Sequence, residues 1–141
     1  MTFKDFVNKY NGVKVDYDGY FGAMCVDLFR QYCADVLNIE HTGAVEGAND
    51  LFLNYDKMPK EKKYFSRVKH TLDRKYKEGD VLVWDGTASN KYGHVALLMC
   101  EMSGDFVVFE QGRMRQDGGK IALRTRENLL GALRFIVSSK I

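Results

Sequence analysis

The spacing of apolar and polar residues changes partway along this chain. In the first half, apolar residues recur every three or four positions, the period of amphipathic helices. Phe3, Phe6, Val7 and Tyr10 share one helical face. Thr2 is placed as the N-cap, Asp5 falls in the first turn, and Asn11-Gly12 supplies the stop. Residues 15–22 are rich in turn formers. A second helix follows from Cys25, Leu28, Phe29, Tyr32, Cys33, Val36 and Leu37, closed by Asn38, and residues 45–54 predict a third. From residue 79 the period falls to two. Residues 80–84, 94–100, 106–110, 120–125 and 132–137 predict five strands, separated by glycine- and aspartate-rich turns. Their spacing favours an antiparallel meander. Helices first and strands after predict an α+β fold, with N-terminal helices packed on a curved antiparallel sheet of five or six strands.

The length, 141 residues, suits one domain spanning 1–141. With 45% hydrophobic and 28% charged residues the chain falls among ordinary globular proteins, which sets disorder aside. A net charge of +2 is too small to argue for nucleic acid and would not oppose an anionic cell wall. Lys62, Lys63, Arg67 and Lys69 read as a solvated surface. The first ten residues carry Lys4, Asp5 and Lys9 and lack the apolar centre of a signal peptide. No apolar run is long enough to span a bilayer. The expectation is a monomer without signal peptide or membrane partner.

Candidate chemistry begins with the three cysteines. An odd count argues against a disulfide framework, and no CxxC spacing suggests zinc. Cys33 and Cys100 read as packing residues. Cys25 opens the best-supported helix, where backbone N–H groups favour a thiolate; it also lies on that helix's apolar stripe, so an inert buried thiol is the alternative. Of three histidines, His41 and His70 stand in polar surroundings and read as exposed. His94 opens an apolar strand directly after Gly93, whose missing side chain could leave room for a substrate backbone. That is a rigid mount for a general base, or simply a histidine capping a strand. Glu110 interrupts the apolar pattern of the next strand and could orient an imidazole, or be an edge carboxylate. Positions 94 and 110 are both even, so they share a face only if the intervening loop has an odd number of residues. A loop of Met102, Ser103 and Gly104 meets that condition; a two-residue loop or a bulge would separate them. Asp16, Asp18 and Asp27 surround the entrance to the Cys25 helix, either as capping and solvated groups or as ligands of a hard cation.

Taken in order, these segments resemble the CHAP family, the cysteine, histidine-dependent amidohydrolases/peptidases common in phage endolysins. The similarity lies in residues 16–28 around Cys25, in 79–86, in Gly93-His94-Val95-Ala96, in Phe109-Glu110-Gln111 and in 131–135. It implies a papain-like fold and hydrolysis of an amide bond in bacterial peptidoglycan, either as an N-acetylmuramoyl-L-alanine amidase or as a peptide endopeptidase. On this resemblance Cys25 is the nucleophile, His94 the base and Glu110 its partner. It also implies structural Ca²⁺ held by the carboxylates of Asp16, Asp18 and Asp27 and the carbonyls of Tyr20 and Gly22. Trp84, Tyr92, Gly93 and Gly112 are the expected substrate-side residues, although core packing is the favoured role for Trp84. The chain departs from the family at Gly112, where many members carry asparagine. The rival class is a non-catalytic, calcium-binding wall-binding or virion structural module.

Overall fold

The computed structural model describes residues 1–17, 24–112 and 118–136. Helix α1 (Phe3–Tyr10) starts where Thr2 accepts a hydrogen bond from the Asp5 N–H, as the capping pattern requires. It buries Phe6 and Val7; each fully buried side chain of this kind contributes roughly 1.5–3 kcal/mol. Helix α2 (Cys25–Tyr32) runs into a single π-helical turn, Cys33–Leu37. Asn38 ends it in the left-handed region with φ 55°, a conformation that asparagine tolerates better than most residues. The third helix is shorter than its pattern predicts: α3 covers Asp50–Leu53 only, preceded by turns. A 3₁₀ turn, Tyr55–Lys57, leads to α4 (Pro59–Tyr64), with proline at the helix start.

Six strands form one antiparallel sheet: β1 (Phe65–Lys69), β2 (Val81–Trp84), β3 (His94–Met102), β4 (Asp105–Glu110), β5 (Lys120–Arg124) and β6 (Leu129–Phe135). Their order is β1-β6-β2-β3-β4-β5. Strands β2 to β5 make the expected meander, but β6 returns to pair with β2 and to carry β1 on its far edge. Strand β1 escapes the alternating pattern because only Phe65 in it is fully buried.

The centre of the sheet is buried on both faces, which is why β2 and the start of β3 read as continuous apolar runs. Val81, Val83, Val95, Leu97 and Phe109 pack against Phe6, Leu28, Phe29 and Leu51 of the helices. Leu82, Ala96, Leu98, Phe106, Val108 and Ala132 form a second core with Trp84, Leu129 and Tyr76. Cys33, fully buried, has its thiol pushed well above the ordinary range by burial and stays a packing residue. Cys100, expected to pack, is exposed instead.

The β3–β4 hairpin combines two irregularities. Met102 pairs with Asp105, leaving a two-residue turn of Ser103 and Gly104 with φ of 51° and 90°, the signature of a tight hairpin. The register then slips between Leu98 and Cys100, so β3 carries one extra residue in a bulge. Either change alone would move His94 and Glu110 to opposite faces. Together they cancel, and the continued register puts Glu110 opposite Ala96, diagonal to His94. The bulge also takes Cys100 off the Leu98 face.

One ion pair ties the sheet to the segment before β2. Asp80, buried at 2% exposure, receives Arg134 Nε and Nη2 at 3.0 and 2.8 Å and the Lys77 N–H at 2.8 Å. Removing Arg134 leaves that carboxylate buried without its counter-charge. Arg134→Met is expected to lower unfolding free energy by about 3 kcal/mol, measured by urea denaturation; a loss under about 1 kcal/mol would show that Asp80 is satisfied without the guanidinium.

Candidate active site

Cys25 is the first residue of α2, and His94 is the first residue of β3, at the rim of the sheet. The two side chains are hydrogen-bonded. His94 Nε2 lies 2.9 Å from Glu110 Oε1, which leaves Nδ1 as the ring nitrogen for the thiol. Glu110 is buried and accepts two further bonds from Arg124: Nε to Oε1 and Nη2 to Oε2, both 2.7 Å. The result is a continuous line of four side chains, Cys25–His94–Glu110–Arg124. Trp84 packs its ring 5.9 Å from the imidazole while its indole N–H donates to the Thr125 carbonyl at 3.0 Å. Trp84 therefore belongs to the second core and covers the imidazole at once.

The electrostatics follow from these contacts. Burial alone would push His94 down, but its hydrogen bonds to Cys25 and Glu110, and their negative charge, hold it up at about 9. Burial would push Glu110 up, yet the His94 and Arg124 hydrogen bonds bring it down to about 2. Arg124 is raised in turn, chiefly by its bonds to Glu110. The carboxylate is thus ionised throughout the neutral range and favours a protonated imidazole.

Arg124 is absent from the sequence reading. It ends β5 on the face shared by Glu110, two positions beyond Ala122, whose small side chain lies between Arg124 and the pairing partner of Glu110, Lys120. Only the strand register distinguishes it from an ordinary edge arginine.

A cleft of about 460 Å³ borders this line at His94 and Arg124. Trp84, Asp85, Asn90, His94, Arg124 and Asn128 are among its walls. Gly93 borders it too, but the space left by its absent side chain is filled by protein. With φ 71°, a Cβ there would sit 2.3 Å from the Trp84 carbonyl oxygen, so the glycine serves the turn into β3, not a substrate backbone. Tyr92 and Gly112 are not among the cleft walls. The Tyr92 ring lies against Gly47 instead, and its carbonyl accepts the Asn49 N–H at 2.9 Å. Cys25 itself is 4% exposed, and the cleft wall ends at its partner His94.

The remaining histidines are half-buried, contrary to expectation. His41 stands edge-on to Tyr17, and His70 Nδ1 lies 2.7 Å from the Tyr76 hydroxyl. Of the expected calcium ligands, Asp18, Tyr20 and Gly22 lie outside the described residues. Asp16 is exposed; Asp27 is buried, its carboxylate 4.0 Å from Arg30. Among the described residues no three acidic, histidine or cysteine side chains converge on a metal position. All five expected donors are oxygens, which suits a hard cation.

No family model matches the sequence, and no curated protein matches it. The fold does have solved counterparts. It resembles the crystal structure of a wild-type endolysin, LysIME-EF1, with a TM-score of 0.70 at 20% identity, over 95% of this chain and 64% of that one. It also resembles Ly7917, with a TM-score of 0.65 at 14% identity, over 96% of this chain and 62% of that one. A second Ly7917 structure, with the hydrolysing product of MDP, matches with a TM-score of 0.65 over 93% of this chain and 60% of that one. The chain thus spans less than two thirds of the length of each. It shares the α+β fold of these proteins: an antiparallel six-stranded sheet with a few helices. No helix among the described residues is long and apolar enough to cross a membrane.

The sign of the pH dependence is fixed by the two shifts. His94 is raised from 6.5 to about 9, so its stabilisation is complete below 6.5 and is lost as pH rises through about 9. Glu110 is lowered from 4.5 to about 2, so its contribution holds above 4.5 and fades as pH falls toward 2. An NMR titration of the His94 ring is expected to show a midpoint near 9, and Glu110→Gln should bring it down by removing the carboxylate charge. A midpoint near 6.5 in both proteins would mean that neither contact holds the proton.

Proposed function

We propose that this protein is a thiol hydrolase of the bacterial cell wall, cutting an amide bond of peptidoglycan with Cys25 as nucleophile, His94 as acid and base, and Glu110 as the group that orients the imidazole. The observation that carries the reading is the contact sequence Cys25–His94–Glu110, with His94 on a cleft wall. Its support is threefold: that geometry, the fold shared with two endolysins, and the ordered resemblance to the CHAP family.

The chemistry runs as acyl transfer. A thiolate is the attacking species, and an adjacent imidazolium favours it. Sulfur adds to the amide carbonyl carbon, and the electron pair of the C=O bond moves onto oxygen. The C–N bond then breaks, and His94 gives its proton to the departing amine. Water attacks the resulting thioester while His94 takes its proton, releasing the acid and restoring the thiolate beside an imidazolium. Glu110 keeps Nε2–H pointed away from the sulfur, so that Nδ1 serves it throughout. Arg124, with both carboxylate oxygens in hand, holds Glu110 ionised and fixed. The Cys25 backbone N–H, at the start of α2, is the proposed donor to the developing oxyanion.

Calcium is proposed as a structural ligand of the loop before Cys25, through Asp16, Asp18 and Asp27 and the carbonyls of Tyr20 and Gly22. Its chemistry there is to hold that loop, and no step of the reaction passes through it.

Purified protein is expected to clear a suspension of Gram-positive cell walls, and Cys25→Ala to abolish clearing while the circular dichroism spectrum is unchanged. Clearing by Cys25→Ala would refute the nucleophile assignment. The rate should fall on the alkaline side as His94 loses its proton near 9. A chelator should slow clearing and lower the melting temperature if calcium holds the loop. Mass spectrometry of the fragments distinguishes a muramoyl-alanine amidase from a peptide endopeptidase by the bond cut.

A further inference from the structure

Gln111 follows Glu110 in sequence but points to the opposite side of the sheet, as adjacent residues beyond a strand end do. Its side chain is fully buried at 0% exposure. Burying a primary amide is unfavourable unless its donors and acceptor are met, and here they are met by backbone alone. Oε1 accepts the Val15 N–H at 2.8 Å, and Nε2 donates to the Val15 carbonyl at 2.8 Å and to the Met24 carbonyl at 2.9 Å. Both amide hydrogens are therefore used. The residues so held stand on either side of the loop that leads into α2.

The Met24 bond bears directly on the site. Met24 is the N-cap of α2 and carries no side-chain cap. Its carbonyl accepts both Gln111 and the Asp27 N–H, the latter at 3.0 Å. The peptide joining Met24 to Cys25 is planar and trans, so its carbonyl oxygen and the Cys25 N–H point in opposite directions. A carbonyl anchored inward on a buried amide consequently aims the Cys25 N–H outward. We infer that Gln111 is a positioning residue: by fixing the Met24–Cys25 peptide plane it aims the N–H that would receive the oxyanion. Glu110 and Gln111 thus divide the site between them, one orienting the imidazole and the other the peptide that bears the thiol. This rests on the hydrolase reading above.

The test uses a Cys100→Ser background, which removes the exposed thiol and leaves Cys25, at 4% exposure beside His94, as the more accessible of the two that remain, Cys33 being at 0%. Gln111→Met keeps the side-chain length and removes all three bonds. The readouts are kcat and KM on solubilised wall fragments and the rate of Cys25 alkylation by iodoacetamide, which forms no oxyanion. A misaimed donor is expected to lower kcat by about 10²-fold while KM and the alkylation rate stay within about threefold. Undiminished kcat, or a rise in KM alone, overturns the assignment. An alkylation rate that falls as far as kcat also overturns it, since the thiol itself would then have moved. Should Gln111→Met fail to fold, Gln111→Asn decides alone: it keeps a primary amide at the site but is one methylene too short to hold Val15 and Met24 together, and the same fall in kcat is expected. A parent protein that leaves wall fragments uncut sinks the hydrolase reading and this inference with it. A parent that cuts them as fast as Gln111→Met does sinks only the inference.

Discussion

A carboxylate withdrawn from water must be compensated by groups that cannot drift away, and Glu110 has two. Arg124 grips both of its oxygens and His94 shares one of them. Desolvating an ion costs several kcal/mol, recovered only with good geometry and filled lone pairs. Bidentate arginine supplies that geometry better than lysine could, because its planar fork matches the carboxylate. The imidazole is oriented by a group that is itself immobile. Without Arg124, Glu110 would have reason to take up a proton, and a neutral acid would no longer favour an imidazolium beside the thiol.

The end of β4 organises both halves of the site. One residue lies on the face of the second core; the next faces the helices. Glu110 reaches His94 on β3, and Gln111 reaches across to the loop before α2. The N-terminal half of the chain contributes the thiol, and the sheet contributes the groups around it. Since the contacts that join them span 87 residues between Met24 and Gln111, the arrangement depends on completed tertiary packing more than on any local element.

Much of this was legible in the residues. Thr2 and Asn38 mark helix ends because capping and left-handed conformations have strong local preferences. Strands β2, β3, β4 and β6 show in the apolar pattern because they are buried, whereas β5 shows only in its alternation, none of its residues being buried. Strand β1 does not, since an edge strand with one buried residue leaves little periodic trace. The pairing of His94 with Glu110 was readable only as a parity condition, and the loop length assumed for it was wrong: a two-residue turn and a bulge stand where a three-residue turn was expected. Arg124 was invisible because an arginine at the end of an edge strand resembles any solvated cation until the register is known. Gly93 was assigned to the correct place for the wrong reason, as the atom it accommodates is the Trp84 carbonyl oxygen. Tyr92, read as flanking the site, turns toward Gly47 instead.

The extra residue in β3 gives the hairpin something like a reading frame. Trimming one residue from the bulge, or adding one to the turn, would leave both strands well formed and equally apolar, yet would rotate the imidazole to the helix side and away from its carboxylate. Chain length in this hairpin can therefore drift only in even steps or by paired compensating changes. Among distant relatives, turns and bulges here should be exchanged together, as a unit, even where hardly any side chain is shared.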